Sequence, residues 1–134
     1  MSFVLDASVA VAALRTTEIG HAAALRRCMP VFAGREEIRV PAIFDVEIVA
    51  ALVRRGAPPA RVAAFLDTHF SSRILVAIGP RAVRAVRAVV NVTRLRAADA
   101  MYVWLAARDG LPLVTTDAEV LERAGLAGAE AVLP

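Results

Sequence analysis

Short apolar runs and longer amphipathic segments alternate along almost the whole chain. The short runs predict five strands, at Phe3–Leu5, Ile38–Val40, Ile74–Ile78, Leu113–Thr115 and Ala131–Leu133. The segments between them carry apolar residues at helical spacing. Strands that alternate with helices predict an α/β domain with a central, mostly parallel sheet. No repeat or long linker interrupts the pattern, so residues 1–134 are expected to form a single domain.

Local signals predict where some of the helices begin. Thr17 is expected to cap the second helix, with Glu18 in its first turn, where an acid is favoured. Pro41 suits the first turn of the third helix, because its missing N–H has no partner there in any case. The pair Gly79-Pro80 is expected to open a later helix in the same way.

The apolar composition does not predict a membrane protein. Hydrophobic residues make up 58% of the chain and the mean hydropathy is +0.59, yet no stretch longer than eight residues lacks a charge. A membrane-spanning helix needs about 20 apolar residues, so no spanning segment is expected. The first residues carry no basic segment and reach an acid at Asp6, which argues against a secretory signal and favours a cytoplasmic protein.

The counts of a few residue types narrow the chemistry. Cys28 is the single cysteine, and His21 and His69 are the only histidines, so neither a disulfide framework nor a Cys/His zinc site is expected. All sixteen basic residues are arginines, which excludes mechanisms that need a catalytic lysine. The net charge of +3 is compatible with a polyanionic partner.

Two acids follow predicted strands. Asp6 comes directly after Phe3–Leu5, and Asp117 comes shortly after Leu113–Thr115. The carboxyl ends of parallel strands form the edge at which α/β proteins bind ligands, so both carboxylates are expected at that edge. The alternative is that each acid only caps the helix that follows it, since aspartate is a favoured N-cap.

Two further acids lie in apolar helices. Glu47 has apolar neighbours one turn away, and a buried carboxylate needs a cation or strong hydrogen bonds. Asp45 is the rival acid on the same helix, and spacing alone does not choose between them. Asp99 is the only charged residue between Arg96 and Arg108, which favours a functional carboxylate over a first-turn acid that only interacts with the helix dipole.

Together these four carboxylates predict a cation site. Like charges about 4 Å apart repel by roughly 4 kcal/mol at an effective dielectric of 20, so converging acids are stable mainly around a cation. An all-oxygen set selects Mg²⁺ or Mn²⁺ over zinc. Such an ion activates water and orients a scissile phosphate, which predicts a phosphodiester hydrolase. Asp6 and Asp99 are the preferred direct ligands, with Glu47 and Asp117 completing the site.

The motifs that carry these acids resemble those of the PIN-domain nucleases, and within them the VapC toxins of bacterial toxin–antitoxin pairs. Four segments match in order over almost the whole chain: Val4–Ser8, Val40–Leu52, Ala98–Ala106 and Leu113–Asp117. The resemblance selects Glu47 over Asp45, because Glu47 falls on the second acidic position of the family. It also implies that the hydroxyls of Ser8 and Thr115 support the metal-binding acids, and it leaves the participation of Glu119 open.

The resemblance further implies a three-layer α/β/α fold and a magnesium-dependent ribonuclease. It implies frequent homodimers and inhibition by a cognate antitoxin protein. Housekeeping PIN nucleases share the same acids, and the short, undecorated chain favours the toxin type. The alternatives are a housekeeping nuclease or a catalytically silent PIN-fold binding module. A phosphoaspartate protein is disfavoured, because such proteins need a lysine and this chain has none.

An arginine series offers a candidate path for RNA. It occupies the helix side opposite the valines and continues just beyond that helix, at Arg81, Arg84, Arg87, Arg94 and Arg96. Arginine pairs with phosphates through two parallel hydrogen bonds, which favours a phosphate track. An ordinary solvated helix face is the competing interpretation. Aromatic residues make up only 5% of the chain, so no extended base-stacking surface is expected.

Overall fold

The computed structural model describes residues 2–134. It contains a five-stranded sheet in the order β3-β2-β1-β4-β5, and every neighbouring pair is parallel. The strands are β1 (Ser2–Leu5), β2 (Glu37–Pro41), β3 (Arg73–Val76), β4 (Leu113–Val114) and β5 (Ala131–Val132). The helices are α1 (Ala7–Leu14), α2 (His21–Phe32), α3 (Ile43–Val53), α4 (Pro59–His69), α5 (Pro80–Thr93), α6 (Ala97–Asp109) and α7 (Ala118–Arg123), and a 3-10 helix (Ala124–Ala127) follows α7.

The strand order reverses direction at β1. The chain proceeds from β1 to β2 and β3 on one side, and then returns to place β4 and β5 on the other side. Because parallel crossovers are right-handed, this reversal puts α1–α4 on one face of the sheet and α5–α7 on the other. Helix packing agrees, since α1 contacts α2 and α3 while α5 contacts α6. The predicted three-layer α/β/α architecture is confirmed, and the gap between β1 and β4 is its topological switch point.

The core lies on both faces of β1. Phe3, Val4 and Leu5 are completely buried, as expected for a central strand of a parallel sheet covered by helices. Helix α6 packs against β1 and β2 and buries an almost continuous run from Tyr102 to Ala106. This packing matters for the site, because it fixes the first turn of α6 at the carboxyl edge of the sheet. None of the helices in residues 2–134 combines the length and the apolar character that crossing a bilayer requires.

Two of the predicted helix starts are wrong. Thr17 does not cap α2, which begins at His21 after Gly20 in a left-handed conformation. Glu18 instead lies in the preceding turn, where it pairs with Arg15 and Arg55. The third helix does not begin at Pro41, which is the last residue of β2 and pairs in register with Val76 of the neighbouring strand. At Pro41 the pairing with a neighbouring strand overrides the local preference, whereas Glu18 is held in a turn by its backbone bond to Arg15.

Candidate active site

The four predicted acids line one pocket of about 320 Å³ at the carboxyl edge of the sheet. Asp6 follows β1, Asp117 follows β4, Glu47 comes from α3, and Asp99 comes from the first turn of α6. The pocket therefore opens at the switch point between β1 and β4, where open α/β sheets bind their ligands. Its walls also include Ser8, Glu18, Arg55 and Arg96.

Asp6 is the most buried of the four acids, with 8% of its surface exposed. One carboxylate oxygen accepts a hydrogen bond from the Ser8 N–H at 3.2 Å and caps α1. The other accepts from the Thr115 hydroxyl at 2.8 Å, and the same hydroxyl accepts from the Asp117 N–H at 3.1 Å. Thr115 thus ties the first acid to the loop that carries the fourth. Asp6 is both a helix cap and a pocket acid, so the two interpretations are compatible.

Glu47 is held by a tyrosine from the opposite layer. The Tyr102 hydroxyl donates to Glu47 Oε1 at 2.8 Å, and Tyr102 itself is only 2% exposed. Burial raises the pKa of Glu47 above its usual value, and the tyrosine hydrogen bond partly offsets this. The nearby charges of Asp6 and Asp99 raise the pKa of Glu47 further. Glu47 is therefore part of a crowded set of negative charges, which favours a bound cation.

Asp99 and Asp117 share one arginine. Arg96 Nε lies 3.2 Å from Asp99 Oδ2, and Arg96 Nη2 lies 3.3 Å from Asp117 Oδ2. The two carboxylate side chains are 14% and 26% exposed, whereas the arginine side chain is 77% exposed. Burial, followed by the charges of Asp117 and Asp6, raises the pKa of Asp99, and Arg96 lowers it. Asp117 also caps α7 through the N–H groups of Glu119 and Val120.

The donor chemistry of the pocket fits a hard divalent cation. Its acidic lining supplies carboxylate oxygens only, and the pKa values of Glu47 and Asp99 are raised first by burial and then by the neighbouring acids. Within residues 2–134, no three His, Cys, Asp or Glu side chains already stand at the spacing of ligands around one ion. An ion that binds here requires some side-chain movement, and Arg96 currently holds two of the four carboxylates.

The rival and accessory acids lie elsewhere. Asp45 forms two 2.8 Å hydrogen bonds with Arg73 and does not line the acid pocket. Glu119 is exposed and lies outside the pocket lining, although its N–H donates to Asp117. Ser8 lines the pocket, but it bonds to Asp6 through its backbone N–H and not through the hydroxyl that the family resemblance implied.

The structure divides the predicted arginine series into two parts. Arg81, Arg84, Arg87 and Arg94 are exposed on or just after α5, and none of the four forms an ion pair within the described chain. Arg96 belongs instead to the wall of the acid pocket. The arginines and valines of α5 are not cleanly separated, because Val83 is also 47% exposed.

Sequence reasoning missed three features of the site. The role of Tyr102 was not predicted, although its position three residues after Asp99 places it on the same side of α6. The pairing of Arg96 with the acids was not predicted, because the sequence places Arg96 in the arginine series that forms the candidate path for RNA. A second groove of about 540 Å³ adjoins the pocket, with Glu47, Ala51 and Arg55 lining both and Arg54 lining the groove alone. No local sequence signal indicated this groove.

The fold and the pocket define a class, namely parallel α/β/α domains with an acidic site at the sheet's switch point. A family model for the PIN domain matches residues 3–126. The chain therefore belongs to the PIN domain family, whose members are generally nucleases. This confirms the family that the sequence motifs indicated. No curated protein sequence matches the chain significantly.

Solved structures show the same fold. VapBC2 from Rickettsia felis, crystallised with a DNA fragment from its promoter, aligns with a TM-score of 0.72 and 14% identity, over 100% of this chain and 99% of that chain. FitAcB from Neisseria gonorrhoeae aligns with a TM-score of 0.70 and 16% identity, over 98% and 96% of the two chains. PAE2754 from Pyrobaculum aerophilum aligns with a TM-score of 0.65 and 27% identity, over 98% and 92%.

Proposed function

We propose that this PIN domain is a ribonuclease that uses Mg²⁺ or Mn²⁺ and acts as the toxin of a toxin–antitoxin pair. The observation that carries the proposal is the meeting of Asp6, Glu47, Asp99 and Asp117 in one pocket of a PIN-family domain. The bound ion would lower the pKa of a water molecule and orient the scissile phosphate. The remaining catalytic work falls to the side chains of this chain.

Each acid has a distinct part in the proposed mechanism. Asp6 and Asp99 are the preferred direct ligands, and Thr115 fixes the orientation of Asp6 by its 2.8 Å hydrogen bond. Glu47 and Asp117 complete the negative charge of the site, directly or through water. The Tyr102 hydroxyl engages Glu47 Oε1 and leaves Oε2 available to water or to the ion. These neutral hydrogen bonds orient the carboxylates without cancelling the charge that holds the ion.

RNA is the proposed substrate, and exposed arginines offer it two approaches. On one side, Arg81, Arg84, Arg87 and Arg94 follow α5 towards the turn that carries Arg96. On the other side, the adjoining groove leads from Glu47 to Arg54. Replacing Arg81, Arg84 and Arg87 by alanine is expected to make RNA affinity less dependent on salt concentration. The decrease in slope should correspond to the loss of about three phosphate contacts. Fluorescence anisotropy at several salt concentrations measures this, and an unchanged slope would remove α5 from the RNA path.

A cognate antitoxin protein is the proposed regulatory partner. The structural similarity to VapBC2 and FitAcB supports this proposal, because VapC-type toxins pair with antitoxins. We also propose a homodimer and a cytoplasmic location, in keeping with the toxin type. Co-expression with the small protein encoded beside this chain's gene tests the partnership. The pair should co-purify, and the antitoxin should suppress RNA cleavage by the purified toxin.

Cleavage of single-stranded RNA tests the central proposal. The wild-type protein should cut RNA with Mg²⁺ or Mn²⁺, and EDTA or Asp99→Asn should abolish the products. Glu122→Gln is the matched control, because Glu122 is an exposed acid outside the pocket lining. Cleavage by Asp99→Asn in EDTA would reject the metal mechanism. Specific RNA binding without any cleavage by the wild type would instead favour the silent binding module.

A further inference from the structure

Arg96 occupies a position that its own helix does not favour. It is the N-cap residue of α6, and its side chain makes no capping hydrogen bond. The N-terminus of a helix carries partial positive charge, so a cation there is disfavoured while Asp99 in the first turn is favoured. The guanidinium is stabilised instead by its two carboxylate partners, Asp99 and Asp117. The arginine is thus explained by the pocket and not by the helix.

Hydrogen bonds hold the turn that precedes Arg96, while most of the Arg96 side chain is exposed to solvent. Arg94 ends α5 in a left-handed conformation with φ 58°, the only positive φ at a non-glycine residue in the described chain. Leu95 is 3% exposed, and its N–H donates to the hydroxyl of Thr93, which in turn donates to the Val89 carbonyl at 2.7 Å. A rigid turn therefore holds the base of a side chain that is 77% exposed.

We propose that Arg96 is a resident counter-ion of the acid pocket, which a divalent cation displaces and which then pairs with a phosphate of the RNA. The inference rests on the proposed function, because it concerns the same pocket and substrate. The ion and the guanidinium compete for Asp99 and Asp117, and two cations that share these carboxylates repel each other. Ion binding therefore disfavours the pairing of Arg96 with Asp99 and Asp117. By the same amount, this pairing weakens the binding of the ion.

In the other half of the pocket, the side-chain partners of the acids are not cations, so no cation has to leave there when the ion binds. Asp6 and Glu47 take their hydrogen bonds from the neutral hydroxyls of Thr115 and Tyr102, which do not compete with a cation for charge. The displaced guanidinium stays at the rim on its fixed turn, where phosphates are a preferred partner for its planar donors. Because of this exchange, the protein would bind RNA more tightly with the ion than without it.

Metal affinity provides the first test. Isothermal titration of EDTA-stripped protein with Mn²⁺ compares the wild type with Arg96→Gln, which removes the charge, and Arg96→Lys, which restores it. Arg94→Gln is the matched control, because Arg94 is an exposed cation two residues away that pairs with no acid. Arg96→Gln should bind Mn²⁺ roughly three- to tenfold more tightly, while Arg96→Lys and Arg94→Gln stay near the wild type. The exchange would be overturned if the wild type and Arg96→Gln bound Mn²⁺ with equal affinity. It would also be overturned if Arg94→Gln increased the affinity for Mn²⁺ as much as Arg96→Gln does.

Thermal unfolding provides a second signature that a merely structural arginine would not show. In EDTA, Arg96→Gln should unfold at a lower temperature than the wild type, because Asp99 and Asp117 lose their counter-ion. With saturating Mn²⁺ the difference should vanish or reverse, because the ion replaces the guanidinium. A deficit of the same size in EDTA and in Mn²⁺ would assign Arg96 a fixed structural role and contradict the exchange.

RNA binding tests the last step. In a Glu47→Gln background, which is expected to prevent cleavage, Arg96→Gln should weaken binding of a short single-stranded RNA about three- to tenfold in Mn²⁺ and leave it unchanged in EDTA. An equal loss under both conditions would overturn the exchange, because Arg96 would then contact RNA whether or not the ion is bound. The proposed function fails separately: Mn²⁺ binding with the expected Arg96 effect but without RNA cleavage rejects the ribonuclease and retains the exchange.

Discussion

The acid pocket has an inner and an outer half, and they hold their carboxylates by different means. The inner half consists of Asp6 and Glu47, which accept hydrogen bonds from the buried hydroxyls of Thr115 and Tyr102. The outer half consists of Asp99 and Asp117, which pair with the exposed Arg96. The side-chain donors are thus neutral hydroxyls in the inner half and a cation in the outer half, where Asp117 also accepts from two backbone N–H groups.

This difference follows from the cost of burial. A neutral hydroxyl orients a buried carboxylate and keeps its full charge available for an ion, and no further charge has to be desolvated. A buried arginine would both incur a desolvation cost and cancel the charge. At the pocket mouth the guanidinium remains solvated, so it relieves repulsion and can still leave.

The largest expected effect separates two acids of α3. Glu47→Gln should reduce RNA cleavage at least about 100-fold, because it removes charge from the inner half. Asp45→Asn should leave cleavage within about twofold, because Asp45 lies outside the acid pocket and pairs with Arg73. It should instead lower the free energy of unfolding by about 2 kcal/mol, the worth of a charged hydrogen-bonded pair that is mostly shielded from solvent.

Urea denaturation and RNA cleavage by the same two preparations check this prediction. Glu47→Gln should be as stable as the wild type in EDTA, since it removes a charge whose burial is unfavourable. If Asp45→Asn abolished cleavage without loss of stability, the assignment of the two acids would have to be exchanged.

A smaller effect is expected when an inner hydroxyl is removed. Thr115→Val keeps the side-chain volume and deletes both the hydrogen bond to Asp6 and the acceptor for the Asp117 N–H. Metal affinity or cleavage should fall about 10- to 100-fold, the usual range for groups that orient a metal ligand. Thr116→Val is the matched control, because Thr116 is its exposed neighbour. Equal effects of both substitutions would indicate a general disturbance of the loop.

The smallest expected effect is a dependence of stability on pH in EDTA. The pKa values of Glu47 and Asp99 are raised in the folded state above their usual 4.5 and 3.8, chiefly by burial. The folded protein therefore binds protons more tightly than the unfolded protein, and protonation of these two acids stabilises the fold. This stabilisation is complete below the usual pKa values and is lost as the pH rises through the folded pKa values. The unfolding temperature should be a few degrees higher near pH 5 than near pH 7.5.

Scanning calorimetry at the two pH values measures this difference. The double variant Glu47→Gln, Asp99→Asn should remove most of it. The lowered pKa of Asp109, which Arg108 and Arg39 stabilise as an anion, acts with the opposite sign, but only as the pH falls below about 3.8. A stability that rises from pH 5 to pH 7.5 would contradict the raised pKa values of Glu47 and Asp99 in the folded, metal-free protein.

The sequence alone determined the fold class and the candidate acids. Alternating apolar strands and amphipathic helices predict a parallel sheet because each element must bury one face or both. Asp6 and Asp117 could be placed at one edge because parallel strands end together. Glu47 and Asp99 stood out as charges in apolar helices. The choice of Glu47 over Asp45 came from the resemblance to the PIN-domain nucleases, whereas the other inferences need only local periodicity and the known geometry of parallel sheets.

The tertiary structure alone decided which groups accompany the acids. Tyr102 reaches Glu47 over 55 positions of sequence, and Thr115 reaches Asp6 over 109. Asp45 and Glu47 lie on the same helix, but Asp45 pairs with Arg73 of β3, whereas Glu47 lines the acid pocket and bonds to Tyr102. Likewise, Arg96 faces the acids and not the α5 track because the turn after Thr93 directs it there. Such pairings depend on how distant segments pack against each other, and local propensity carries no information about that packing.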